Sequence, residues 1–144
     1  MRELLIAKKE HLPLVALLER ETFSEPWSES SLELFLENNN FCALCMEDGK
    51  LLSYCTVTSV LDEAQIVNVA TDKDALRQGL ARLVLSFVLE ECRERGIATV
   101  SLEVRVSNTP AIALYEGLGF SKMGTRRGFY NNPKEDAFVM IKIN

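Results

Sequence analysis

The sequence lacks a long hydrophobic run, and it contains a single histidine, His11, and a single tryptophan. No apolar stretch reaches the roughly 18 residues that a membrane-spanning helix requires, so we expect no membrane partner. The first twelve residues interleave acids and bases around short apolar stretches, which is not the pattern of a secretory signal. We therefore expect a cytoplasmic protein that folds as one domain over residues 1–144, a length that can bury a core.

An excess of positive charge is also missing. The chain carries 16 Lys and Arg against 21 Asp and Glu, a formal net charge of −5. Nonspecific nucleic-acid binding needs a basic field, so we expect no direct contact with nucleic acid. An acidic protein can instead steer a basic peptide toward itself.

Metal ligands are few. The four cysteines, Cys42, Cys45, Cys55 and Cys92, lie in apolar or amphipathic stretches, where reduced cysteine acts as a small hydrophobe. Cys42-x-x-Cys45 has no second pair at ligand spacing, and a strand points positions three apart to opposite faces. We expect no metal site, and one unpaired histidine makes a Cys–His nucleophile a weak hypothesis.

Hydrophobic periodicity predicts the element order β-α-α-β-β-β-α-β-α-β-β. The predicted strands cover residues 3–8, 41–46, 51–60, 63–71, 98–104, 120–126 and 136–143. The predicted helices cover residues 11–23, with Leu14, Leu17 and Leu18 at helical spacing, a segment capped by Ser28, and residues 80–95 and 108–117. The predicted class is α/β (mixed α+β): one central, mixed, mostly antiparallel sheet of about seven strands flanked by about four helices on both faces.

The stretch A-T-D-K-D-A-L-R-Q-G-L-A-R, residues 70–82, places Gly79 between a strand and a helix. A glycine admits a ligand close to the backbone, and a helix N-terminus offers unpaired N–H groups and partial positive charge. With Arg77 and Arg82 nearby, the turn suits a phosphate or pyrophosphate. It matches neither the phosphate loop of ATPases nor the G-x-G-x-x-G fingerprint, and a plain loop entering a helix stays open as an alternative.

That element order, with R-Q-G-L-A at the strand–helix turn, resembles the GCN5-related N-acetyltransferases (GNAT). The usual loop of that family reads [RQ]-x-x-G-x-[GA], and Leu76 stands where arginine or glutamine is common. The resemblance implies acetyl-coenzyme A as co-substrate, with its pyrophosphate on this loop and its pantetheine arm on the backbone of the preceding strand, expected to be an edge strand. The implied cofactor residues are Val69, Ala70, Thr71, Arg77, Gln78, Gly79, Leu80, Ala81, Arg82 and Asn108.

Two residues are implied to act on the reacting groups. Glu103 stands where the family has its general base, and Tyr115 stands where it has its general acid. From the residues alone, Glu103 can equally be a solvated strand carboxylate paired with Arg105, because the two share a strand face. Tyr115 can equally be a core aromatic with its hydroxyl at the rim, and Asn108 can be a helix cap as well as a cofactor contact.

Three further stretches are similar to the branch of this family that acetylates the N-terminal alanine of a small-subunit ribosomal protein. They are E-P-W-S-E-S-S-L (25–32), S-L-E-V-R-V-S-N-T-P-A-I-A-L-Y-E-G-L-G-F (101–120) and R-R-G-F-Y-N-N-P-K-E-D-A-F-V-M (126–140). The resemblance implies that Trp27, Phe129 and Tyr130 flank the groove for a basic peptide, although Trp27 can also be a core plug. A small amine or lysine acceptor, or a noncatalytic acyl-coenzyme A binder, remains open.

Overall fold

The computed structural model describes all residues, 1–144, and its elements follow the predicted order. The strands are β1 (Arg2–Ile6), β2 (Phe41–Glu47), β3 (Lys50–Val60), β4 (Glu63–Thr71), β5 (Thr99–Arg105), β6 (Ser121–Tyr130) and β7 (Glu135–Ile143). The helices are α1 (Leu12–Thr22), α2 (Glu29–Leu36), α3 (Leu80–Glu94) and α4 (Thr109–Gly117), with short 3₁₀ turns at Lys9–His11 and Lys73–Ala75. The bounds agree closely with the prediction except at β6, which continues to Tyr130 rather than ending at residue 126.

The seven strands form one sheet in the order β1-β2-β3-β4-β5-β7-β6. Every neighbouring pair is antiparallel except β4 and β5, which run parallel and are joined through α3. The last strand, β7, is inserted between β5 and β6 and pairs with both. The predicted mixed, mostly antiparallel sheet with four helices is therefore confirmed.

Both faces of the sheet are covered, and alternate residues of β2 show the division. Phe41, Ala43 and Cys45 belong to a core of 22 residues that packs against α3 and α4. Cys42 and Leu44 belong to a second core of 12 residues that packs against α1 and α2. A strand buried on both faces reads as a continuous apolar run, which is the pattern of residues 41–46. None of the helices combines the length and the apolar character needed to cross a membrane.

The cysteine pair of β2 is split between these cores, Cys42 beside α1 and Cys45 beside α3. The two thiols therefore point away from each other across the sheet and cannot ligate one ion. Burial raises the pKa of both thiols and raises the pKa of Cys92 to about 11. All three stay protonated at neutral pH and pack as small hydrophobes, as expected.

The parallel pair β4–β5 holds together only at its beginning. Its register covers Glu63↔Thr99, Ala64↔Val100 and Gln65↔Ser101, and beyond these residues the strands separate. On its other side β4 stays paired with β3 as far as Thr71. The expectation that β4 is an edge strand is therefore wrong. Its free backbone side arises from divergence in the middle of the sheet.

The buried face of α1 differs from the predicted apolar stripe. Leu17 is 48% exposed, although its spacing from Leu14 and Leu18 suggested a core position. The buried residues are Leu12, Val15, Ala16, Leu18 and Glu19. The helix is thus rotated so that a carboxylate faces the core.

Candidate active site

A cavity of about 530 Å³ opens where β4 and β5 diverge. Residues 66–69 of β4 form one wall and residues 102–105 of β5 the other. The α1–α2 loop, the beginning of α4 and the β6–β7 turn close it from the sides. Seven of the predicted site residues line it: Trp27, Val69, Glu103, Asn108, Tyr115, Phe129 and Tyr130.

Glu103 projects from β5 on the face that α1 and α2 cover, since its neighbours Leu102 and Val104 pack in the opposite core. Both of its carboxylate oxygens accept hydrogen bonds, Oε2 from Gln65 Nε2 at 2.7 Å and Oε1 from Arg126 Nη1 at 3.0 Å. Its side chain is only 13% exposed. Each carboxylate oxygen carries two lone pairs, so Glu103 can accept a further hydrogen bond or a proton while these two contacts hold it in place.

The expected alternative, a pair between Glu103 and Arg105, is not formed. Arg105 instead donates to Glu135 Oε1 at 3.2 Å and to the carbonyl oxygens of Pro133 at 2.8 Å and Asn131 at 3.1 Å. Glu103 and Arg105 do share a strand face, but β7 and the β6–β7 turn supply Arg105 with three other acceptors. Arg126, whose reach the sequence did not reveal, pairs with Glu103.

Tyr115 approaches the cavity from the opposite side of the sheet. It lies on α4 and packs edge to face with Phe120, with ring centroids 5.9 Å apart, beside the core under α3. Burial, and secondarily Cys55, raises the pKa of Tyr115 to about 12. The phenol is therefore a hydrogen-bond donor at any physiological pH. Full transfer of its proton to a thiolate of pKa near 8.5 is uphill by roughly 5 kcal/mol.

Gly79 is the N-cap of α3, and its φ of +72° lies in the left-handed region that favours glycine. No side chain caps this helix, whereas Ser28 caps α2 and Asn108 caps α4. The first N–H groups of α3, from Leu80 onward, therefore have no partner in the helix. A Cβ added to Gly79 would meet no atom within 4 Å apart from its immediate chain neighbours, so the turn itself faces open space.

The loop residues around Gly79 lie outside the cavity, as a second cluster beyond the end of β4. Arg77 is exposed and adopts a φ of +64°, which is unusual for a residue with a side chain. Arg82 extends toward α4, with Nη1 3.2 Å from where a Cβ of Gly117 would stand. Gln78 accepts a hydrogen bond from Arg2 of β1. Leu80 is buried in the core and can offer only its backbone.

The predicted pantetheine contacts on β4 are likewise divided between the cavity and the loop around Gly79. Val69 lines the cavity, while Ala70 and Thr71 lie beyond it, toward the loop. Ser53 on β3 donates to the carbonyl of Ala70 at 2.8 Å and lies 3.0 Å from Thr71 Oγ1. The carbonyl of Ala70 therefore already has a partner on β3.

Asn108 caps α4 through Oδ1, which accepts from the N–H of Ala111 at 3.3 Å. Its Nδ2 makes no hydrogen bond within the protein, and the residue lines the cavity. The cap and a ligand contact are therefore compatible, as the sequence suggested.

Aromatic side chains form the two outer walls of the cavity. Trp27 packs edge to face against Phe35 with centroids 5.1 Å apart, so it is partly a core plug and partly a wall. Phe129 and Tyr130 stack edge to face at 5.0 Å, with Arg126 over the first ring and Arg105 over the second.

One buried residue behind the cavity was missed from the sequence. Glu19 on α1 is 1% exposed, and its carboxylate accepts from the N–H of Trp27 at 2.9 Å, from Asn68 Nδ2 at 3.0 Å and from the Tyr54 hydroxyl. Trp27 and Asn68 both line the cavity. The detectable signal is a carboxylate at the core-facing spacing of Leu12, Val15 and Ala16, because a fully buried acid is rare without dedicated partners.

A carboxylate and a phenol thus reach one cleft from opposite faces of the sheet, and an uncapped helix N-terminus lies beyond the end of β4. The Acetyltransferase (GNAT) family model matches residues 12–120. The chain belongs to the acetyltransferase (GNAT) family, whose members use acetyl-coenzyme A.

Two curated proteins show how far the similarity extends. The [Ribosomal protein bS18]-alanine N-acetyltransferase of Escherichia coli K12 is 39% identical over 131 residues, covering 90% of this chain and 88% of that protein. Its namesake from Salmonella typhimurium LT2 is 37% identical over 145 residues, covering 97% and 96%. The crystal structure of the ribosomal-protein-S18-alanine N-acetyltransferase from E. coli superposes with a TM-score of 0.91 at 36% identity, covering 99% of this chain and 94% of that one.

Proposed function

We propose that the protein transfers an acetyl group from acetyl-coenzyme A to the N-terminal α-amine of a protein, and that the acceptor is the alanine of ribosomal protein bS18. Two curated relatives that cover most of this chain are named for that reaction. The observation that carries the proposal is that Glu103 and Tyr115 line one cavity. The outer walls of this cavity belong to the α1–α2 loop and the β6–β7 turn.

The co-substrate fits the two clusters of residues. The uncapped N–H groups after Gly79, together with Arg77 and Arg82, suit a pyrophosphate. The unpaired side of β4 near Val69 suits the amide-bearing arm, because backbone N–H and C=O groups there lack a strand partner. Acetyl-coenzyme A supplies the thioester whose acetyl group is transferred.

The acceptor chemistry suits one buried carboxylate. A free α-amine has a pKa near 7.8, so producing its neutral form at pH 7 costs about 1 kcal/mol, against about 4.6 kcal/mol for lysine. Glu103, held by Gln65 and Arg126, accepts the amine's proton directly or through water. Tyr115, protonated because of its raised pKa, hydrogen-bonds the departing sulfur and stabilises its charge.

The electrostatics favour a basic peptide. The protein has a formal net charge of −5, and Glu25 joins Trp27 at the outer wall of the cavity. A basic acceptor peptide would be steered toward the cleft by this negative charge. We infer from a ribosomal acceptor that the reaction takes place in the cytoplasm.

Two matched peptides test the proposal, with acetyl-coenzyme A as donor and peptide mass as the readout. One begins with a free alanine and contains no lysine, and the other has a blocked N-terminus and one internal lysine. Acetylation of the first peptide alone supports the proposal. Acetylation of the second alone shows a lysine acceptor and contradicts it. No reaction on either peptide contradicts the protein acceptor and favours a small amine or a noncatalytic binder.

A further inference from the structure

Resting on the proposed function, we propose that Asn68 binds the acceptor's amino group through its side-chain oxygen and that buried Glu19 is the residue that positions Asn68. Neither residue belongs to the predicted site. Their arrangement follows from a bulge in β4, a closed set of hydrogen bonds around Glu19, and one side-chain oxygen without a partner in the protein.

The bulge places Asn68 on the acceptor side of the cleft. In the pairing of β3 with β4, Val57 faces Ile66 and Thr56 faces Asn68, so Val67 is an extra residue. The N–H of Asn68 donates to Thr56 Oγ1 at 3.1 Å, which fixes the backbone there. An extra residue in a strand reverses the alternation of faces.

As a result, Gln65 and Asn68 point to the same face in spite of their odd spacing. Gln65 reaches Glu103, and Asn68 reaches Glu19 on α1. Ile66 and Val69 pack on the opposite side, in the core under α3. Asn68 and Glu103 therefore line the same cavity from facing strands and from the same side of the sheet.

Glu19 fixes which end of the Asn68 amide faces the cavity. A carboxylate can only accept hydrogen bonds, so the amide must present Nδ2 to it, at 3.0 Å. The oxygen Oδ1 then points away from Glu19. It accepts no hydrogen bond from the protein. Because no buried side-chain oxygen or nitrogen is unsatisfied, this oxygen is open to solvent.

An open amide oxygen in the same cavity as the proposed general base suits an amine. A primary amine has more N–H groups than Glu103 can engage, and an oxygen acceptor on the facing strand holds a second one. The amide is neutral, so it orients the nitrogen without competing with Glu103 for the proton. Asn68 would thus contribute to acceptor binding rather than to the affinity for acetyl-coenzyme A.

The test is steady-state kinetics on the free-alanine peptide, with the Michaelis constants of peptide and acetyl-coenzyme A measured separately. Asn68→Ala is expected to raise the peptide KM about tenfold, as for one hydrogen bond to a charged group, and to leave the acetyl-coenzyme A KM unchanged. Glu19→Gln is expected to do the same. An amide N–H at position 19 would oppose Asn68 Nδ2, so the Asn68 amide would turn over and present Nδ2, instead of Oδ1, to the cavity. Combining the two changes should add nothing further.

The matched control is Tyr54→Phe. Tyr54 also donates to Glu19 but is fully buried and does not line the cavity, so this variant should melt earlier while its peptide KM stays near that of the parent. A double variant that should restore peptide binding provides a second test. Adding Asn68→Asp to Glu19→Gln gives the new donor an acceptor and returns an oxygen to the cavity, so the peptide KM should fall again.

Each outcome decides the matter. A peptide KM that stays within about twofold in Asn68→Ala overturns the inference while leaving the proposed function intact. An equal rise in Tyr54→Phe, or the absence of rescue, shows that Glu19 acts only through fold stability and overturns its positioning role. If the parent protein does not acetylate the alanine peptide at all, the proposed function itself fails, and the inference fails with it.

Discussion

Gln65 donates a hydrogen bond of 2.7 Å to Glu103 at the point where β4 and β5 separate. Gln65↔Ser101 is the last register pair between these strands, so the contact spans the apex of the cleft. Together with Arg126, it holds the carboxylate against one wall of the cavity. The proposed base, Glu103, is therefore placed by the same divergence that opens the cavity.

Glu103→Gln is expected to lower kcat/KM by 10²-fold or more at pH 7, the usual worth of general base catalysis. The defect should shrink at pH 9. An α-amine of pKa near 7.8 becomes roughly sevenfold more abundant in its neutral form over that range, which bypasses the base. The measurement is a pH profile of initial rates for variant and parent.

Glu135→Gln is the matched control, since it also removes an arginine-paired carboxylate but from outside the cavity. Its profile should keep the shape of the parent profile. A defect in Glu103→Gln that is equally large at pH 7 and pH 9 would argue against the base role.

Tyr115→Phe is expected to reduce kcat by about 10²- to 10³-fold, as for loss of one donor to a developing charge. The defect should not vary between pH 6 and 9.5 in a set of rate profiles, because the raised pKa of Tyr115, about 12, keeps the phenol protonated throughout. Loss of activity in the parent near pH 8 that disappears in Tyr115→Phe would show a titrating phenol and contradict the role of a fixed donor.

Gly79→Ala is expected to weaken acetyl-coenzyme A binding by tenfold or more, measured by titration calorimetry. The added Cβ would project into open space at the N-cap of α3 and limit how closely a ligand can approach the backbone. A side chain at this left-handed position also costs roughly 1 kcal/mol of folding stability. Gly96→Ala separates the two effects, because Gly96 follows the other end of α3 with a φ of +78° and equally open surroundings. It should lose the same stability and bind normally; equal weakening in both variants would refute a pyrophosphate site at the N-terminus of α3.

Arg105→Ala is expected to raise the KM for peptide severalfold without changing that for acetyl-coenzyme A. The guanidinium holds the carbonyls of Asn131 and Pro133, and Asn131 lies in the outer wall. Arg93→Ala removes an arginine from an exposed ion pair on α3 and should change neither constant. A larger effect of Arg105→Ala on acetyl-coenzyme A than on peptide would place the turn outside the acceptor groove.

The sequence predicted well those features whose conformation depends on neighbouring residues in the chain. Gly79 precedes a strongly amphipathic helix, and Asn108 is followed by Pro110 at a helix start, so each position carries its own conformational reason. Glu103 and Tyr115 could be placed in one cleft only through the family resemblance, because residues far apart in sequence meet there through the pairing of β5 with β4 and β7.

The parts that the sequence did not predict depend on register and partner choice. The bulge at Val67 changes which face Asn68 occupies, and nothing in the residue pattern of β4 marks it. The free backbone groups of β4, which the sequence analysis attributed to an edge strand, arise instead because β4 diverges from β5. Arg126, rather than Arg105, pairs with Glu103, because the β6–β7 turn supplies carbonyl acceptors to Arg105.

The most direct measurement uses a single peptide with both a free N-terminal alanine and one internal lysine. After reaction with acetyl-coenzyme A at pH 7, fragmentation mass spectrometry locates the acetyl group. The account predicts that the α-amine alone is modified, because a single carboxylate can neutralise it at a small free-energy cost. Acetyl groups on the lysine, with a free α-amine, would contradict the account.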